Sequence, residues 1–85
     1  MMDSLARLEA SIGPAGEALR AAVRDREARK AEYGDWYDRE LGMGARKALT
    51  RAMVLEECRL RTALCKAEEA VLHAAQAFAD VLEDL

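Results

Sequence analysis

No run of apolar residues in this chain approaches the ~18 that a membrane span needs. Residues 1–20 lack a basic stretch followed by an apolar run and a cleavage site, so a soluble, cytoplasmic protein is expected. Aromatics make up only 5% of the 85 residues, and proline occurs once, at Pro14. So short a chain buries roughly 60–65% of the surface its unfolded form exposes, which allows one small domain over 1–85 and no enclosed substrate cavity. Serine occurs only at Ser4 and Ser11, and neither a Gly-x-Ser-x-Gly elbow nor a phosphate-cradling glycine loop is present. Nothing pairs a nucleophile with a base, so no catalytic residue, no cofactor and no enzyme is expected.

Cysteine is nearly absent too. Cys58 and Cys65 stand seven apart, about 10 Å along a helix axis, beyond the ~7 Å Cα separation a disulfide tolerates. They read as reduced thiols packed like small hydrophobes. Cys58, Cys65, Glu69 and His73 step along one helix by seven, four and four, which raises the question of a metal. A closed tetrahedral site would need ligands from the other arm, and that arm holds neither Cys nor His. No metal is therefore expected.

What is abundant is helix-forming sequence: 52% hydrophobic and 34% charged residues, dominated after Met43 by Ala, Leu, Arg, Glu, Met and Lys. Met53, Glu57, Leu60, Leu64, Ala67, Val71, Ala74, Phe78, Val81 and Leu85 step by four and three, a heptad seam with Glu57 as its one polar member. In the first half, Leu5, Leu8, Ile12, Ala15, Leu19 and Ala22 keep the same spacing, which then meets Arg26, Arg29, Tyr33 and Trp36. Gly13-Pro14 suits the end of one helix and the start of the next. The expected architecture is all-α: an antiparallel helical hairpin with a short N-terminal helix at about 4–12. A helix at about 14–41 follows, with an interruption admitted near Gly34, then a turn at 42–44 and a long C-terminal helix at about 45–84.

A second apolar stripe, Val54, Cys58, Cys65, Leu72 and Ala79, lies about a hundred degrees from the seam of the long helix. The short 4–12 helix could fold back over it; alternatively a partner protein or a second copy buries it. The second reading is preferred, because a hairpin this small has few residues left to cover another face. Val54, Cys58, Cys65 and Leu72 are accordingly expected to bind a partner. Trp36 and Tyr37 join them, with two roles open: an aromatic binding hot spot, or a plug that fixes the turn.

The competing partner is nucleic acid. Arg20, Arg24, Arg26, Arg29 and Lys30, with Arg46, Lys47, Arg51, Arg59 and Arg61, could form a basic face. Asp25, Glu27 and Glu32 are interspersed at salt-bridge spacing and the net charge is −3, so a salt-bridged solvated face is the better reading. The charge is also unevenly laid out, with the surplus of cations in residues 20–66 and of carboxylates in 67–85.

The opening Leu5-Ala6-Arg7-Leu8-Glu9, ahead of a helical hairpin, resembles the small cytosolic co-chaperones of type III secretion needle subunits. The resemblance covers about the first two thirds of the chain and rests on a Leu-x-Arg-Leu-Glu opening and on size. It implies a hairpin that clamps a partner and helps keep an aggregation-prone needle subunit soluble before export. The long C-terminal helix and its acidic end, Asp80, Glu83 and Asp84, have no counterpart in that pattern, and no functional residue is carried over. The expected function is a non-enzymatic protein-interaction module of small chaperone or adaptor type. The alternatives are a nucleic-acid-binding regulator and a small phage-type inhibitor of a host protein.

Overall fold

Strong helix formers fill the computed structural model, which describes residues 2–42 and 48–84, with two helices: α1 (Met2–Leu41) and α2 (Arg51–Glu83). No strand occurs among the described residues. Contacts between the helices run in opposite orders. Near one end a Cβ placed on Gly16 would stand 3.7 Å from the Phe78 ring. Toward the other end the Tyr33 hydroxyl donates to Glu57 at 2.9 Å. The helices therefore pack as an antiparallel hairpin, a rod 66 Å long and 17 × 14 Å across. Its radius of gyration, 19.1 Å, far exceeds the ~12 Å of a globular chain this long.

A rod has little interior. Among the described residues only Trp36, Leu60 and Ala67 are buried. The heptad seam of α2 nonetheless faces α1 as its spacing predicts, because every seam residue from Met53 to Val81 is buried or half-buried. On α1, Ile12, Ala15, Leu19 and Ala22 are half-buried in the same way, and the seam continues through Arg26, Tyr33 and Trp36. The side chains of Leu5 and Leu8, like Leu85, lie outside what is described.

Several sequence expectations need correction. There is no separate 4–12 helix, because α1 runs unbroken through Gly13 and Pro14. Proline removes the N–H that would bond the Ala10 carbonyl. Ala10, Gly13 and Pro14 are all exposed, so water can reach the freed carbonyl while Ile12, Ala15 and Gly16 keep the inner face on α2. The idea that 4–12 folds back over the second stripe falls with it. Gly34 does not interrupt α1 either.

The long second helix starts later than about 45. Thr50, extended at φ −100° and ψ 161°, is its N-cap, and its hydroxyl accepts from the Met53 N–H at 3.1 Å. Residues 48–50 are not helical, and Met43 and Gly44 of the expected turn lie outside the described residues. The arms are consequently unequal, 40 residues against 33. With Gly16 level with Phe78, the first turns of α1 extend past the end of α2.

Gly42 closes α1 at a point where space is short: a Cβ there would overlap the Asp38 carbonyl more closely than real Cβ contacts allow. Gly42→Ala should therefore lower the urea unfolding free energy by roughly 1–3 kcal/mol. Gly34→Ala, where an added Cβ meets nothing within 4 Å, should raise it by roughly 0.5–1 kcal/mol through helix propensity. Equal effects at the two positions would show that α1 does not end as described.

Candidate interaction surface

Seven-residue spacing on α2 places Cys58, Cys65, Leu72 and Ala79 in one line, with Val54 a turn ahead, and all five are exposed. Leu72 is 68% accessible and Val54 49%. Both thiols are free, and they stand in water rather than packed as small hydrophobes, which corrects that expectation. The stripe is uncovered because α1 occupies only the seam a hundred degrees away. Exposed leucines widen it beyond the residues singled out from spacing: Leu55 lies beside Val54, and Leu82 is three residues past Ala79. Their signal was present in the sequence as neighbouring positions on the same wheel.

At the hairpin tip, α1 and the start of α2 border a half-open cleft of about 230 Å³, walled by Tyr33, Trp36, Tyr37, Leu41, Met53 and Val54. Tyr33 stacks on Tyr37 with ring centroids 6.3 Å apart and tilts against Trp36 at 6.5 Å. Trp36, for which the sequence allows both a hot spot and a plug of the turn, is only 7% accessible. The ring sits on the continuing heptad of α1, sharing one cleft with Met53 and another with Leu60. It is therefore core rather than free binding surface. Tyr37 remains exposed, as does Leu49 in the linker, which sequence spacing could not flag because it precedes the Thr50 cap. Val54 belongs to both the cleft and the stripe, so the two apolar areas are continuous.

The single polar seam residue is explained by its partners. Glu57 accepts from the Tyr33 hydroxyl and pairs with Arg61 one turn on. Hydrogen bonding with Tyr33, then the charge of Glu57, holds the Arg61 guanidinium above its ordinary range. Arg59 grips Glu56 through two N–H donors and reaches Glu32 of α1 at 3.7 Å. That grip lowers the Glu56 carboxyl below its usual range, its hydrogen bond outweighing partial desolvation.

The basic face is similarly neutralised. Arg20 pairs with Glu17, Arg26 with Glu27, and Arg29 with both Asp25 and Glu32. Arg46 and Lys47 lie outside the described residues. His73 is exposed, and among the described residues no three His, Cys, Asp or Glu side chains converge as metal ligands. No described helix is long and apolar enough to cross a membrane.

No protein-family model, curated protein or solved structure matches this chain.

Proposed function

We propose that the chain is a non-enzymatic protein-interaction module of small chaperone or adaptor type, working through the outer apolar face of α2. One observation carries the reading. Leu72 stands 68% accessible with Val54, Cys58 and Cys65 also exposed, and no described residue covers them. Burying one such leucine contributes about 1.5–3 kcal/mol to association. The needle-subunit co-chaperone resemblance suggests one partner of this kind, an aggregation-prone export substrate, and a cytoplasmic setting. An inhibitor of a host protein would use the same surface.

Nucleic-acid binding has weaker support, because five of the eight described basic side chains of that face, Arg20, Arg26, Arg29, Arg59 and Arg61, are paired with carboxylates. Leu72→Asp should leave the helical circular-dichroism signal unchanged and weaken partner association by about thirtyfold or more, with little salt dependence. Arg24→Glu with Lys30→Glu should leave association intact. Binding that survives Leu72→Asp, falls steeply with salt and disappears in the Arg24/Lys30 variant would replace this reading with the nucleic-acid one.

A further inference from the structure

We propose that the occupant of the outer α2 face is a second copy of this chain, packed antiparallel with a two-fold axis passing near Cys65. This rests on the interaction reading above and names its partner.

The spacing of the face is that of a coiled-coil seam. Cys58, Cys65, Leu72 and Ala79 recur every seven residues along about 40 Å of helix, and the adjoining heptad position holds Val54 and Leu82 at its ends with Arg61, Glu68 and Ala75 between them. Charge decides the direction. Residues 51–66 carry four cations against two carboxylates, and both of those carboxylates, Glu56 and Glu57, are engaged within the chain. Residues 67–84 carry five carboxylates and no Lys or Arg. Glu68, Glu69 and Glu83 pair with no described residue.

The helix ends reinforce this polarity. The first turn of α2 has no acidic residue and begins with Arg51, while its last turn has no basic residue and ends on Glu83, the reverse of what the helix macrodipole favours. A parallel neighbour would set cation against cation and carboxylate against carboxylate. An antiparallel neighbour opposes the dipoles and places Arg51 of each copy opposite Ala79 of the other, within a turn of its Asp80 and Glu83. It also brings Arg61 within a turn of Glu68 and Glu69 of the second copy, and the guanidinium keeps donors beyond those turned to Glu57.

Self-complementarity points to an identical chain. Pairing Cys58 with Leu72 of the other copy puts the axis at Cys65, two residues from Ala67 where the charge changes sign, so the inner part of the stripe and the charge pattern are both nearly symmetric about one point. An isologous two-fold interface requires that coincidence; an unrelated partner does not.

Single-cysteine variants of the full chain, treated with a short bismaleimide, read the geometry. Cys58→Ala, which keeps Cys65, should cross-link to a dimer. Cys65→Ala, which keeps Cys58, should not, because the two Cys58 residues would lie about 20 Å or more apart. Adding Leu72→Cys to Cys65→Ala should restore the cross-link by bringing residue 72 of one copy beside Cys58 of the other. Glu68→Lys with Glu69→Lys should weaken dimerisation about tenfold or more in sedimentation equilibrium, since the close charge pairs become repulsive.

Cross-linking through Cys58 alone, at the same rate as through Cys65, would mean a parallel pair and overturn the proposal. A monomer in sedimentation with both thiols freely alkylated would overturn the second copy as occupant while leaving the interaction reading standing. A monomer whose thiols resist alkylation would defeat both.

Discussion

Trp36→Ala is expected to abolish the cooperative thermal transition of the hairpin, or to lower it until the chain is largely unfolded at 25 °C. Removing a buried Trp side chain costs about 3–5 kcal/mol when the surroundings cannot collapse into the space. Here the consequence is amplified by how little else is interior: among the described residues, Leu60 and Ala67 are the only other buried side chains. A chain of this size has only a few kcal/mol of net stability to lose. Tyr37→Ala provides the contrast. Its ring lies one residue away in the same aromatic cluster but is 47% accessible, so its loss should cost no more than about 1 kcal/mol. Both variants and the parent should be compared by circular dichroism at one protein concentration, because self-association would add a concentration-dependent term. Equal shifts for the two variants would mean that Trp36 does not anchor the helix pair.

Trp36 also shows where the sequence is legible and where it stops being so. The three-four spacing that predicts the α2 seam places Met53, Leu60, Ala67 and Phe78 against α1, and the structure keeps all of them inside or half-inside. The same spacing on α1 runs through Arg26 to Tyr33 and Trp36, so the burial of Trp36 was contained in the periodicity. Sequence leaves it open, because an aromatic cluster near the turn also suits a binding hot spot. The start of α2 is less legible, because the Thr50 cap delays it to Arg51. A threonine three residues ahead of a helical N–H is a local signal, but nothing in composition marks it as stronger than the helix-forming run Ala45 to Leu49 before it.

The outer stripe was legible for a different reason. Periodicity reports faces, and a second face on α2 can be read without knowing what covers it. What periodicity cannot report is pairing. The Tyr33–Glu57–Arg61 link and the cross-helix contact of Arg59 with Glu32 depend on the axial register of the two helices, which the spacing within each helix leaves free. Glu57 therefore looks like a flaw in the seam until Tyr33 is brought to it. Once the link is in place, the polar residue has a role that an apolar one would not: it satisfies a half-buried hydroxyl and fixes which turn of α1 faces which turn of α2.

Pro14→Ala is expected to stabilise the protein, by an amount approaching the ~3 kcal/mol that separates proline from alanine in a helix interior. The native chain carries that penalty because α1 continues through Pro14 instead of ending there. Three observations indicate that alanine fits without rearrangement: Pro14 is exposed, the residues on either side are helical, and restoring the N–H returns a bond to the Ala10 carbonyl. Gly13→Ala, where an added Cβ meets nothing within 4 Å, should add roughly 0.5–1 kcal/mol more. The position of Pro14 decides how the gain is read out. Gly16 is level with Phe78, only five residues before α2 ends at Glu83, so the α1 segment before Pro14 has progressively less of α2 to lie on. If that segment unfolds together with the rest, the gain appears as a shifted urea midpoint for the whole chain. If it opens on its own, the gain appears as slower amide hydrogen exchange confined to the residues around 10–18, with the midpoint unchanged. A destabilised Pro14→Ala variant would contradict the continuous helix itself, because only at a genuine helix start is proline favoured over alanine by its fixed φ and missing N–H.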